Sequence, residues 1–481
     1  MNLPEIYYAP TGPDLLIGYY WILMVPLVLI VPFSAFRSLA SEREDGTYEL
    51  LSITTLNSRQ IVTGKLGSAV LQMIVYFSAL APCIAFTYLL RGVDIITIVY
   101  VLFYAFLASL LFSAFGLLAA TALLPKHTQT LLSVLLLIGL MIATMSGCSL
   151  VAAVVSRPGN LEFDESYFWI GNLCFLTFYG AYFAMIVTGA AAQLSFASDN
   201  RSTKLRAIML IQQVLALGWV LYFWVAFPAR DAFYVILTLS GIHWTIMGAL
   251  MTGELAEISP RVKRSLPQTQ LGRWLFTWFN PGSGTGYVFA IINLVAVTTV
   301  VFIVGMVAQA INAPGAPRNE RMYLFGGLIC AYAAAYLGVG RLLVLVLRNR
   351  LQFGLLLPFM VHAVLLFGGM AGPAFIQAWL EGFGRMDYAP LQVSNWAWTL
   401  MAAVDGDLAG QPLVPVVVGL AGIGVFVINL AVAAKEIEQV REEAPQRVIE
   451  DELELHPELA PAPSKPASPW DHDDDPLDLE S

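Results

Sequence analysis

The sequence predicts an all-α membrane protein, a polytopic bundle of about eleven transmembrane helices. Of its 481 residues, 58% are hydrophobic and only 12% are charged, whereas a soluble domain carries about 25% charged residues. Apolar runs of about 20 residues recur along the chain, and a helix needs this length to cross a hydrocarbon core of about 30 Å. Transmembrane strands are not expected, because no segment shows the alternation of polar and apolar residues that barrel strands require.

The apolar runs follow one another with polar connections between them. Each run predicts one helical span, because a helix satisfies all its backbone hydrogen bonds inside the lipid. The runs lie at about 15–36, 66–90, 95–124, 131–155, 167–194, 207–227, 232–252, 287–310, 322–347, 351–376 and 413–434.

The distribution of Lys and Arg predicts the orientation, because cytoplasmic loops are enriched in these residues. If the loop after the first run is inside, the inside segments hold 18 of them and the outside segments hold 6. The segment 1–14 contains neither Lys nor Arg. We therefore expect an external N-terminus and a cytoplasmic C-terminus; an upstream start would instead add one span and place the N-terminus inside.

The formal net charge of -9 comes from the C-terminal segment. Residues 435–481 contain 15 acidic and 4 basic residues, many prolines and few apolar residues. This composition is typical of disorder, so we predict a disordered cytoplasmic tail. His472 lies among four aspartates there, and a solvated charge run explains this cluster better than a metal site.

The charged segment 37–65 interrupts the apolar pattern early in the chain. Ser41 followed by Glu44 matches a capping box, and Gly46 permits a break. Thr47 can then cap a short helix with one apolar side. On these features alone the segment predicts a helix lying on the membrane surface, and an ordinary interfacial helix is the plain alternative to a docking element.

The same segment carries, in order, Glu42-Arg43, Gly46-Thr47, Glu49-Leu50-Leu51, Thr54, Leu56, Ser58-Arg59, Ile61 and Gly64-Lys65. This order closely resembles the signature of ABC type-2 transporter permeases, the membrane subunits of ATP-binding-cassette exporters. The resemblance implies that 42–56 forms a cytoplasmic coupling helix seated on a nucleotide-binding subunit. The site residues that it implies are Glu42, Arg43, Gly46, Thr47, Glu49, Leu50, Leu51, Thr54, Leu56, Arg59 and Lys65.

The resemblance also implies a domain organisation and partners. A permease-like core would occupy 15–197, with the coupling segment at 37–65, and 198–434 would form an additional six-span region. ATP and Mg²⁺ would be bound by a separate ATPase subunit, beside a second permease chain in a bacterial inner membrane. No nucleic-acid partner is expected. Two features depart from the family: Thr55 stands where proline is usual, and only one span precedes the motif.

No motif predicts an enzyme. The chain lacks a phosphate-binding GxxxxGK[ST] loop, and Gly282 to Gly286 has no following lysine, so we interpret it as a flexible turn. It also lacks HExxH and GxSxG. The four cysteines lie in apolar runs without CxxC spacing, which predicts packing residues without disulfides or zinc.

Two other classes remain open, a secondary transporter driven by an ion gradient and a non-transporting scaffold. A secondary transporter usually has ionisable groups at membrane depth, and no Asp or Glu lies well inside any run. Arg341 is expected to extend to the inner surface. Six polar residues at membrane depth predict hydrogen bonds between helices rather than a transport pathway. They are Gln212, Gln213, His243, Asn293, His362 and Asn429.

Two connecting segments carry further signals. Residues 270–279 place apolar side chains on one helical face, which predicts a membrane-surface anchor and, as the alternative, a second docking element. Residues 377–411, with three tryptophans, are too short for a separate domain and are expected to cap the outer mouth of the bundle.

Overall fold

The computed structural model describes eleven helices that are long and apolar enough to cross a membrane, and its described residues contain no strand. The predicted all-α polytopic fold is therefore confirmed. The described residues are 11–45, 56–90, 92–121, 126–156, 161–195, 199–255, 277–317, 320–348, 356–383, 387–442 and 455. The long helices are α1 (Gly12–Glu44), α2 (Ser58–Leu89), α3 (Ile95–Ala120), α4 (Lys126–Val155), α5 (Ser166–Leu194), α6 (Thr203–Ala226), α7 (Asp231–Met251), α8 (Ser283–Ala310), α9 (Arg321–Arg348), α10 (Leu356–Leu380) and α11 (Leu413–Glu442).

Several helices extend beyond the apolar runs at their polar ends. Helix α1 continues to Glu44, α2 begins at Ser58, and α11 continues to Glu442. Helical hydrogen bonds continue into the charged residues, so the length of the apolar run underestimates the length of the helix. Accordingly, 435–442 belongs to α11 rather than to the predicted tail, while 443–454 and 456–481 are not among the described residues.

The helix starts show which capping signals are used. The capping box predicted at Ser41 is wrong, because Ser41 lies inside the last turns of α1 and bonds to the carbonyl of Ser38. The capping box instead opens α2, where Asn57 and Gln60 satisfy each other's backbone groups. At the start of α3, burial raises the pKa of the Asp94 carboxyl, but hydrogen bonds from Thr97 outweigh burial and hold this pKa below its usual value.

The hydrophobic core has two parts. One cluster of buried side chains comes from α1 to α5, and a second comes from α6 to α9, α11 and the short helices described below. Met185 of α5 and Leu205 of α6 pack against the second cluster, so α5 and α6 join the two parts. The assignment of the first part to a permease-like core stays a prediction.

Close helix contacts occur where one helix exposes a carbonyl or a small residue. The turn Val25–Ile30 of α1 is a π-helix, and the proline at position 32 has no N–H, so the Leu27 carbonyl accepts a hydrogen bond from Ser109 of α3. About two turns further along α3, a Cβ on Gly116 would lie 2.7 Å from the Pro32 carbonyl oxygen. Only glycine allows α3 to approach α1 this closely.

Contacts between helix ends show which loops lie on the same side. Arg43 near the end of α1 reaches the end of α3, and Ser58 at the start of α2 lies 3.4 Å (Oγ to Oγ) from Ser195 after α5. Thr203 at the start of α6 bonds to the Phe279 carbonyl before α8 at 3.0 Å. We call this side the basic end, because its loops hold most of the Lys and Arg.

The opposite end is covered by three short helices, Pro390–Ser394, Trp396–Asp405 and Asp407–Gly410. A buried amide network holds them, in which Gln392 donates to Gln377 of α10 at 2.6 Å and accepts from Asn395 at 2.9 Å. Burial raises the pKa of the Tyr388 phenol, which bonds to Thr399 at 2.9 Å. This compact cap agrees with the covering role expected for 377–411.

Candidate docking site at the basic end

The predicted coupling residues fall into two groups. Six of them, Gly46, Thr47, Glu49, Leu50, Leu51 and Thr54, lie outside the described residues. The other five lie at the end of α1 and the beginning of α2, on either side of that segment. They are Glu42, Arg43, Leu56, Arg59 and Lys65.

Glu42 and Lys65 form an ion pair that joins α1 to α2. The Lys65 Nζ lies 2.7 Å from Glu42 Oε1, and it also donates to the Ser38 hydroxyl at 2.9 Å. Glu42 and Lys65 therefore bond to each other within the bundle, a contact that the sequence signature does not specify. The pair holds the end of α1 beside α2, on either side of the predicted coupling helix.

Arg43 provides a second connection at the same place. Its guanidinium donates to the carbonyl of Thr121, which is the C-terminal cap residue of α3. A cation is favourable at the end of a helix, where carbonyl groups lack intrahelical partners. Together, Glu42 and Arg43 join the end of α1 to α2 and α3.

Leu56 and Arg59 have a different character from these anchoring residues. The side chain of Leu56 is 49% exposed immediately before α2, and Arg59 is exposed in the first turn of α2. An apolar and a basic side chain are therefore exposed at the start of α2, the helix that carries Lys65. Among the described coupling residues, these two are placed best to contact a partner.

A second ionic centre lies at the basic end of the other half of the bundle. Arg206 of α6 is fully buried and forms an ion pair with Glu254, with Nη2 2.5 Å from Oε2. It also donates to the carbonyls of Trp278 and Gly282, the latter at 3.4 Å. Arg206 therefore ties α6 to the residues after α7 and to the turn before α8.

Arg341 of α9 forms a third ionic centre, and the expectation that it extends to the inner surface is wrong. Its side chain has no exposed surface. Its Nη2 lies 2.9 Å from Glu436 Oε2 of α11, while Nη1 donates to Asn429 at 3.0 Å and Nε to Ser283 at 3.2 Å. Because acceptors from α8 and α11 surround the guanidinium, it is satisfied without reaching the surface.

The interpretation of Gly282 to Gly286 as a flexible turn is wrong, because residues 283–286 form the first turn of α8 with Gly282 as its N-terminal cap, between the two buried arginines. The Gly282 N–H donates to Glu254 at 3.3 Å, and the Gly284 N–H donates to Glu436 at 3.0 Å. Gly282 has a φ of 148°, which favours glycine. The two glutamates thus accept from backbone N–H groups at the start of α8 and balance the buried arginines.

A signal in the sequence could have indicated this centre. An arginine inside an apolar run requires an acidic or carbonyl partner, and Glu436 follows the last run on the same predicted side. The pairing of residues 95 positions apart, however, depends on how α9 and α11 pack. The polar turn before α8 could not be assigned to Arg341 without that packing.

The predicted hydrogen bonds between helices are largely confirmed. Gln213 donates to Ser240 at 3.0 Å, Gln212 to the Ala181 carbonyl at 3.4 Å, and the His362 ring contacts the Leu337 carbonyl at 3.3 Å. Asn293 bonds only within its own helix, to Phe289. His243 Nε2 has no partner among the described residues, and no cluster of potential metal ligands occurs in that part of the chain.

The predicted anchor at 270–279 lies mostly outside the described part of the chain. Of this segment, only Thr277–Phe279 is described, and it forms a short 3-10 helix.

Comparison with protein-family models, with curated proteins and with solved structures finds no match.

Proposed function

We propose that the chain is the membrane-spanning permease subunit of an ATP-binding-cassette exporter. In this proposal it moves a substrate across a bacterial inner membrane, with ATP and Mg²⁺ bound by a separate ATPase subunit. The basic end is then cytoplasmic, the N-terminus is external, and the C-terminus is inside. The ordered motif from Glu42 to Lys65 is the observation that carries the proposal.

The anchoring contacts around the motif support a coupling role. A coupling segment must pass the movement of the ATPase to the membrane helices, so its ends need firm attachment to several of them. The ion pair of Glu42 with Lys65 and the bond from Arg43 to Thr121 provide this attachment to α1, α2 and α3. Force applied to the segment would move these three helices together.

The surface beside these contacts supports a partner at the same place. Leu56 and Arg59 are exposed on the bundle side of the segment. Protein interfaces combine apolar and arginine contacts of this kind. We therefore assign Leu56 and Arg59 to the docking surface and Glu42, Arg43 and Lys65 to its support.

Purification of the full chain from its native membranes in mild detergent tests the proposal. We expect an ATPase subunit to purify with it, identified by mass spectrometry, and ATP hydrolysis to accompany the complex. A purified chain that is folded and free of any ATPase, also after chemical cross-linking in the membrane, would contradict the exporter function and favour the scaffold.

A further inference from the structure

Gln72 of α2 is unusual among the amide side chains of the spans. The other described Asn and Gln side chains inside the helices are buried or partly buried, except Gln60 in the first turn of α2. Gln72 is exposed on the surface of the bundle. Exposed Ser and Thr residues of the spans, such as Ser78, Ser149 and Thr299, bond to carbonyls of their own helices.

Gln72 lies well inside the hydrocarbon layer. Lys65, paired with Glu42 of α1, is the last charged residue along α2, and Gln72 is seven residues further along the helix. At 1.5 Å per residue, this distance is about 10 Å, roughly a third of a core of about 30 Å. The Gln72 side chain is also held in place, because its Oε1 accepts a hydrogen bond from Ser34 of α1 at 3.0 Å.

The amide nitrogen of Gln72 therefore lacks a hydrogen-bond acceptor among the described residues. It carries two N–H donors, and no described residue accepts a hydrogen bond from them. Lipid tails offer no acceptor at this depth, and an unsatisfied amide in hydrocarbon is costly. A protein group must supply the acceptor if Gln72 is to be satisfied.

We propose that the α1–α2 surface around Gln72 is the interface with a second copy of this chain. A glutamine is self-complementary, because its Oε1 has a second lone pair beside the one used by Ser34. Across a two-fold axis next to Gln72, each Nε2 donates to the Oε1 of the other copy, and both amides are satisfied. The exposed Ser68, one turn closer to the basic end, is small enough to allow the two helices to approach.

This inference locates the second permease chain of the proposed exporter, but it rests on Gln72 and not on the coupling motif. Self-association is therefore measured on the purified chain in liposomes without any ATPase. A purified chain that forms no dimer but binds the ATPase would reject only this inference. A chain that forms the dimer but binds no ATPase would reject only the proposed function.

Cysteine cross-linking tests the surface directly, after Cys83, Cys148, Cys174 and Cys330 are replaced by serine. We expect oxidation in membranes to link Ser68→Cys into a dimer, because Ser68 is exposed on the same side of α2 as Gln72 and this variant keeps the Gln72 amide. Ile74→Cys is the matched control, because Ile74 is 54% exposed on the same helix but about 160° around it from Gln72. Equal linking of both variants, or linking of Ile74→Cys alone, would overturn the assignment.

Substitutions at Gln72 provide an independent test. Gln72→Leu removes the amide while remaining compatible with lipid, and we expect it to weaken self-association about tenfold. Gln72→Asn keeps an amide at this position and should retain most of the self-association. An unchanged dimer in Gln72→Leu would contradict the proposal, as would strong labelling of Gln72→Cys by water-soluble maleimides, which would indicate an aqueous pathway.

Discussion

Arg341 and Glu436 form an ion pair between α9 and α11, with Nη2 2.9 Å from Oε2, although they are 95 residues apart in the chain. The guanidinium is fully buried, and the carboxylate also accepts the Gly284 N–H. The pair therefore fixes the last helix to the start of α8. It places an acidic residue next to a cation that would otherwise be unpaired in the bundle.

Removal of Arg341 should destabilise the protein strongly. Arg341→Ala leaves Glu436 without its cation partner, and breaking a buried pair in this way costs about 3 kcal/mol. Lys435→Ala is the control, because Lys435 is the exposed neighbour of Glu436. We expect a lower thermal unfolding midpoint in detergent for Arg341→Ala only; equal midpoints for both variants would show that the ion pair contributes little.

The glycine at position 284 should be required for the same contact. A Cβ on Gly284 would lie 2.6 Å from Ala433 Cβ and 2.9 Å from its Cα, so Gly284→Ala must push α11 away. We expect this overlap to lower the free energy of unfolding by about 1–3 kcal/mol. Gly424→Ala, on an exposed part of α11 with nothing within 4 Å, should be nearly neutral. Denaturation curves that rank the two variants in the opposite order would contradict this packing.

The contact between Glu42 and Lys65 should depend on opposite charge rather than on residue identity. We expect Glu42→Lys alone to impair transport and ATPase binding, because it places two cations together at the ends of the coupling segment. Adding Lys65→Glu should restore both. Transport assays in membrane vesicles measure the effect; a double variant as impaired as the single one would mean that Glu42 contacts the partner itself.

Two exposed positions test the orientation of the bundle. In a chain without native cysteines, Lys204→Cys at the basic end should resist a membrane-impermeant thiol reagent in intact cells, and Asp164→Cys before α5 should react. Both positions are exposed, whereas Ser202, which is 2% exposed, is unsuitable. Permeabilised cells are the control in which both should react. The reverse pattern in intact cells would mean that the bundle has the opposite orientation in the membrane.

The fold class was predictable because composition and apolar runs are local properties. The exact helix ends were not, since α1 and α11 continue through charged residues after hydropathy falls. The burial of Arg341 and the hydrogen bond from the Gly282 N–H to Glu254 were missed because both depend on contacts between distant parts of the chain. The coupling residues were proposed from their order and stay a prediction, and the mutual pairing of Glu42 and Lys65 required the structure.

Site-specific photo-cross-linking tests the central claim, that the surface beside 42–65 contacts an ATPase. A photoreactive amino acid at Leu56 and, separately, at Arg59 samples the two exposed docking residues, and Lys204, exposed at the same end of the bundle, is the control. We predict that irradiation of native membranes links an ATP-binding-cassette ATPase to positions 56 and 59 and not to position 204. Absence of that ATPase from the products at 56 and 59, or equal capture at 204, would contradict the account.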